Sequence, residues 1–221
     1  MQIQWYGQST FRLVEGDASV VIDPFDLAAI TAYGRRWDYP ALDGVTADLL
    51  LVTHEHADHN GVEAVGGDPA TLRSTAGTHD SPIGAVTGVA SEHDEVAGTE
   101  RGPNTIFVFA LGGLRVAHLG DLGQRELRPE QTAAIGTVDV LFVPVGGHAT
   151  IGAEAATDVV ANLSPRVIIP MHYRTERIDF LEPADDFLAR ARTVRRLETP
   201  AFEVADVLGE DGPVVAVPAA P

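Results

Sequence analysis

The chain opens on short strand-like segments at 3–6, 10–14 and 19–22, with apolar and polar residues alternating in Ile3-Gln4-Trp5 and Phe11-Arg12-Leu13 and the last segment closed by Asp23-Pro24. A period of two marks half-buried strands. From 25 to 45 no period is legible, and the stretch carries Tyr33, Arg35, Arg36, Trp37 and Tyr39. It is expected to form a surface loop or short helix of the kind that shapes binding sites. The segment 47–53, with the unbroken apolar run Leu49-Leu50-Leu51-Val52 at its centre, predicts a buried parallel strand, and 61–65 a helical turn. Strands are predicted again at 83–91, 105–110 and 114–118, with Leu111-Gly112-Gly113 as a hairpin turn between the last two.

Beyond His118 the pattern becomes helix–strand alternation. Helices are predicted over 128–135, 153–163 and 183–194, and strands over 138–143 and 166–170. The last helix would begin on Glu182, Asp185 and Asp186 and end on Arg190, Arg192, Arg195 and Arg196, a polarity that suits its dipole. Strand-rich stretches followed by helices, twice over, predict an α/β fold: a four-layer αβ/βα sandwich of two mixed sheets with helices outside. A chain of 221 residues is sized for one such domain, 1–221.

Charge narrows the partners. The net charge is −17, and all fifteen basic residues are Arg. A surface this acidic repels polyanions, so neither nucleic acid nor an anionic membrane is the expected partner. A small anionic substrate remains compatible, because divalent ions would reverse the field locally. The absence of cysteine removes disulfides, thiolate zinc ligands and Cys nucleophiles. With no run of eighteen apolar residues and no leader pattern, a cytoplasmic location is expected, and the oligomeric state is open.

The chemistry concentrates in His54-Glu55-His56-Ala57-Asp58-His59, directly after the apolar run. Residues two apart on extended backbone face one way, so His54 and His56 can share an ion, while Asp58 and His59 reach a second beyond the turn. Imidazole nitrogen and carboxylate oxygen suit zinc first, with Mn, Fe or Ni as neighbouring choices. One motif is not enough ligands for two divalent ions. His93, Asp121 and His172 each follow a predicted strand end, where open sheets carry their sites.

In this ordered set the chain resembles the metallo-β-lactamase superfamily, with a match running from Asp23 to His172. The phrases Thr53-His54-Glu55-His56, His118-Leu119-Gly120-Asp121, Pro144-Val145-Gly146-Gly147 and Pro170-Met171-His172-Tyr173 look like its compact cytoplasmic branch, which includes ascorbate-6-phosphate lactonase. More distantly they are similar to the N-acyl-phosphatidylethanolamine phospholipase D branch. The resemblance implies one ion on His54, His56 and His93, a second on Asp58, His59 and His172, and Asp121 bridging both. It implies Asp23 behind a ligand His. His118 is given a supporting place and His79 none.

The implied activity is hydrolysis of an ester, lactone, amide or phosphodiester of a small molecule by water that two ions make acidic, with Asp58 and Asp121 as catalytic carboxylates. Other branches fit less well. Flavodiiron oxidoreductases usually carry Glu at the place of His56. Exported β-lactamases lack the bridging Asp, nucleases carry an insertion or basic arm, and glyoxalase-II-type enzymes append a helical domain. The alternative is a metal-bound, non-catalytic ligand-binding or regulatory protein of the same fold. For the substrate pocket the candidates are Tyr33, Arg35, Arg36 and Trp37, with His148, Tyr173 and Arg174 as rivals.

Overall fold

The computed structural model describes residues 1–32, 34–209 and 212–221. The first three strands, β1 (Gln2–Gly7), β2 (Thr10–Glu15) and β3 (Ala18–Ile22), form a meander. The helix α1 (Leu27–Ala32) precedes β4 (Leu49–Val52) and β5 (Ala70–Arg73), with a 3₁₀ turn over Val62–Ala64 between the two strands. A second set follows: β6 (Gly77–Ser81), β7 (Gly84–Glu92), β8 (Pro103–Leu111) and β9 (Leu114–His118). Then come α2 (Pro129–Ile135), β10 (Val140–Pro144), α3 (Ala153–Leu163) and β11 (Val167–Met171). The chain closes with α4 (Asp185–Leu188), β12 (Val194–Arg196), β13 (Ala201–Glu203), α5 (Val204–Val207) and β14 (Val214–Val217).

Two mixed sheets result, ordered β13-β1-β2-β3-β4-β5 and β12-β14-β11-β10-β9-β8-β7-β6. Register fixes which side chains meet between them. Trp5, Phe11, Ile22 and Leu51 stand in one row of the first sheet. Phe107, His118 and Phe142 stand in one row of the second. The rows interlock where the Phe11 ring lies 4.5 Å from Phe142 and 6.2 Å from His118, centroid to centroid. All are fully or almost fully buried, and each large apolar side chain so placed contributes roughly 1.5–3 kcal/mol of transfer free energy.

The outer layers are unlike. On the second sheet Ile168 and Val215, paired in register, share a groove with Thr157 and Val160 of α3 and Phe187 of α4, so helices cover that face. On the first sheet, Val21 and Leu50 face away from the interlock and pack under Phe25, Ile30, Trp37, Tyr39, Leu42 and Val45. The aperiodic stretch is thus a cover of the sheet rather than a surface loop. Its lack of period follows from its mostly irregular backbone, with α1 the only helix among its described residues. Among the described residues no helix is long and apolar enough to cross a membrane.

One expected helix is corrected. Over 183–194 only the single turn of α4 forms, burying Phe187 and Leu188. Val194-Arg195-Arg196 instead pairs in parallel with Val215-Ala216-Val217 at the sheet edge. Sheet pairing overrides the charge polarity that suggested a longer helix.

Phe11→Ala is expected to cost about 3–5 kcal/mol of stability, because both sheets lose the ring that interlocks them. Urea unfolding of the variant beside wild type measures this, and a loss below about 1 kcal/mol would contradict the packing described.

Candidate metal centre

Each ligand candidate sits just past a strand: His54 and His56 after β4, His93 after β7, Asp121 three residues after β9, and His172 directly after β11. The 54–56 segment is bent rather than extended, so the side chains converge through a turn and not through strand alternation. The turn is closed by His59 and Asn60 amides donating to the His56 carbonyl at 2.9 and 3.1 Å.

Two groups result, His54/His56/His93 and Asp58/His59/Asp121/His172, with ligand atoms in each within 4.8 Å of one another. Asp121 faces both. Its Oδ2 lies 3.2 Å from Nε2 of His93, in the first group, and 3.2 Å from Nε2 of His172, in the second. Its Oδ1 lies 3.2 Å from His59 Nε2. His54 Nε2 and His56 Nδ1 are 3.0 Å apart, and His172 Nε2 is 3.8 Å from Asp58 Oδ2. Donors placed tetrahedrally at about 2.0–2.1 Å from zinc lie about 3.3–3.4 Å apart, so these separations fit shared cations.

The surroundings hold the ligands in usable states. Asp23, fully buried, accepts the Thr53 amide and hydroxyl at 2.7 Å each and His59 Nδ1 at 2.9 Å. His59 therefore turns Nε2 inward, where it is buried without a hydrogen-bond partner, as is Asp121 Oδ1. The Thr53 hydroxyl, which donates to Asp23, accepts from His54 Nδ1 at 3.0 Å, so Nε2 of that ring carries its lone pair toward His56 Nδ1, 3.0 Å away. Burial, then the charge of His59, holds His54 well below its ordinary pKa, so it stays neutral. Burial likewise lowers His56, with His93 adding to the effect.

The buried acids titrate the other way. Burial alone would raise Asp58 and Asp121, but the neighbouring imidazoles outweigh it and hold both carboxyls well below their usual range. His59 is held well above its ordinary value: burial opposes its charge, and the carboxylates of Asp121, Asp58 and Asp23 win. Oxygens that favour a proton at His59 Nε2 would favour a cation in its place.

Backbone packing sets the frame. A methyl at Gly123 would meet the His93 carbonyl carbon and oxygen at 2.3 and 2.4 Å. One at Gly146 would meet the His172 carbonyl oxygen at 2.2 Å. Main chain thus rests on main chain between the ligand loops.

His118 lies between the sheets. Its Nδ1 accepts the Gly120 amide at 3.2 Å and its Nε2 donates to the Ser9 carbonyl at 3.1 Å, while Nδ1 stays 3.9 Å from Asp23. It braces the turn to Asp121, and burial lowers its pKa. His79 sits on β6, with its ring near Thr75 and the Ala76 carbonyl.

Of the pocket candidates, Arg35 and Trp37 line a cavity of about 380 Å³ beside His56 and Asp58, and His148 lines an adjoining one of about 400 Å³. Arg36 does not. It pairs with Asp38 at 2.6 Å in solvent. Tyr173 is buried and stacked on Trp5, 5.6 Å between centroids, and Arg174 is exposed outside both cavities. Tyr33 lies outside the described residues.

The sequence reading passed over Thr53, Asn104, Phe180 and Arg101. Thr53 adjoins His54, a signal that was present. Asn104 had none: it opens β8, yet its Oδ1 takes the Asp121 amide at 3.0 Å and its Nδ2 donates to Ser91 Oγ at 2.8 Å.

A family model described as the β-lactamase superfamily domain matches residues 2–172. The chain is 31% identical over 200 residues to a UPF0173 protein of Pyrococcus abyssi, covering 79% of this chain and 84% of that one. It is 31% identical over 215 residues to a UPF0173 metal-dependent hydrolase of Pelotomaculum thermopropionicum, covering 84% and 90%. Among solved structures, a candidate Zn-dependent hydrolase of the metallo-β-lactamase superfamily from Thermotoga maritima superposes with a TM-score of 0.78, at 34% identity over 98% of either chain. The chain belongs to the metallo-β-lactamase superfamily. Within it, its relatives are the UPF0173 metal-dependent hydrolases. The lactonase and phospholipase branches that its motif phrases resemble are not among these three.

Asp23→Asn should weaken metal retention by about 10–100-fold while leaving the fold in place, because it removes the carboxylate that aims His59. Competition with a zinc chelator, with circular dichroism as the folding control, checks it. Unchanged retention would show that His59 is oriented by something else.

Proposed function

We propose that the chain is a dinuclear metal-dependent hydrolase acting on an ester, lactone, amide or phosphodiester of a small molecule. The observation that carries this reading is the Asp121 carboxylate, set 3.2 Å from His93 of one ligand group and 3.2 Å from both His59 and His172 of the other. His54, His56 and His93 would hold one ion, Asp58, His59 and His172 the other, and Asp121 both. Zinc suits this all-nitrogen-and-oxygen set best, with Mn, Fe or Ni as other choices. When bound, such ions polarise the scissile group and lower the pKa of water.

The chain's own residues supply the rest. Asp58, one-quarter exposed and lining both cavities, is a carboxylate at neutral pH for the reasons given above. It accepts a proton from the attacking water and returns it to the leaving oxygen or nitrogen, so one water adds across the cleaved bond. Asp23 and Thr53 keep the His59 and His54 rings from rotating, which preserves the geometry through the reaction. His93 and His172 are buried beneath the cavity, while His56 is exposed at its edge.

A regulatory protein of the same fold would bind metal equally well, so hydrolysis is the discriminating measurement. With Zn²⁺ or Mn²⁺ supplied, wild type should cleave the generic phosphodiester bis(p-nitrophenyl) phosphate. Asp121→Ala should lose about 10³-fold or more in kcat, and His56→Ala should lose activity together with one of two metal equivalents. Full metal occupancy without turnover in wild type would favour the regulatory reading.

A further inference from the structure

The two cavities over the metal centre are lobes of one cleft, since Arg35, Phe180, His56 and Asp58 line both. Their chemistry differs. The lobe of about 380 Å³ is walled by Ile30, Trp37 and Phe180. The lobe of about 400 Å³ opens the buried ligands toward Arg35, Arg101 and His148.

The state of the two guanidinium groups is informative. The chain has 32 acidic residues against 15 basic ones. Among the described residues Arg36, Arg73, Arg125, Arg128, Arg166 and Arg196 each have a carboxylate within 4.0 Å. Arg35 and Arg101, like Arg174, Arg177, Arg190 and Arg192, have neither that nor a side-chain hydrogen bond, and of these six only Arg35 and Arg101 line the cleft over the ligand groups. Both acids that line the apolar lobe are engaged: Glu55 pairs with Arg73 and takes Ser74 Oγ at 3.3 Å, and Asp58 belongs to the ligand group with His59 and His172. Glu95 and Glu100 share a neighbouring hollow with Arg101 without pairing to it.

The Arg35 guanidinium and the Arg101 main chain are also held in place. Arg35 stands over the Phe180 ring, 5.1 Å from its centroid. Phe180 in turn stacks on Trp37 at 6.5 Å with 17° between planes. Arg101 ends a loop wound on one carboxylate. Asp94 accepts the amides of Val96 and Gly98 on one oxygen, at 2.9 and 2.7 Å, and those of Glu100 and Arg101 on the other, at 3.0 and 2.8 Å. Both side chains are exposed at the mouth of the cleft, where cations without a carboxylate partner beside an apolar wall are placed to meet an anion.

We infer that the molecule bound in this cleft is an amphiphilic acid. Beside the bond to be cleaved it carries an anionic group, met by Arg35 and Arg101, and an apolar ring or short chain lodged on Ile30, Trp37 and Phe180. That the bound molecule is also the substrate rests on the hydrolase reading; the two recognition elements stand on the cleft itself.

The test is calorimetric titration of the zinc-loaded protein with naphthalene-2-sulfonate and with neutral 2-naphthalenemethanol. A sulfonate is a poor metal ligand, so its affinity reports the arginines. It should bind about tenfold or more tightly than the alcohol. Arg101→Met and Arg35→Met should each weaken the sulfonate about tenfold and leave the alcohol unchanged, at unaltered zinc content. Phe180→Ala should weaken both probes, and Arg36→Met neither. Equal affinity of the two probes, no binding of either, or indifference of the sulfonate to both cleft arginines overturns the inference. Absence of phosphodiester turnover with the binding pattern intact would remove the hydrolase reading and leave this one standing.

Discussion

A carboxylate sealed from water must be met by donors, and at Asp23 that requirement organises the whole metal side of the molecule. Two of its three donors come from Thr53, at the end of the adjacent strand, and the third from His59, beyond the following turn. Satisfying one buried acid therefore joins the end of β3 to the end of β4 and aims an imidazole inward. Asp23 itself sits in the left-handed region, at φ 49°, where a non-glycine residue costs of order 1–3 kcal/mol. His172, on the opposite sheet, sits there too, at φ 50°. The bonds around Asp23 offset its strain, and they tie the directions of the His59 ring and the Thr53 side chain to one buried acid.

Much of this was legible in the residues. The motif 54–59 announces its chemistry because so many ligand types in six positions have few other uses. The strand pattern placed His93, Asp121 and His172 past strand ends, where the structure brings them together. What escaped notice shares a physical cause. Asn104 and Asp94 act through hydrogen bonds to main chain distant in sequence or folded back on itself, and such bonds leave no periodic trace. Strands β5 and β6 are half to fully exposed, so they lack the alternation that marks a strand. The long helix expected over 183–194 failed because a sheet edge beside β14 offered Val194–Arg196 better pairing than a helix could.

The stretch 25–45 joins stability to recognition. Trp37 belongs to the apolar cluster that covers Val21 and Leu50, and the same indole walls the cleft. A change there alters both the cover of the first sheet and the space above the ligand groups. The second sheet has no such conflict, since α3 and α4, which close its outer face, line neither lobe of the cleft.

Gly123 and Gly146 hold the ligand loops apart by the thickness of a peptide plane. The distance between the two ligand groups is therefore a property of the main chain, indifferent to which side chains stand around the opening. Recognition and reactivity become separable traits in such a frame. Exchanging rim residues that hold no ligand position, such as Phe180 or Arg101, would change what enters and leave that spacing as it is. A scaffold of this kind can be retargeted one side chain at a time, provided the positions without a side chain stay bare.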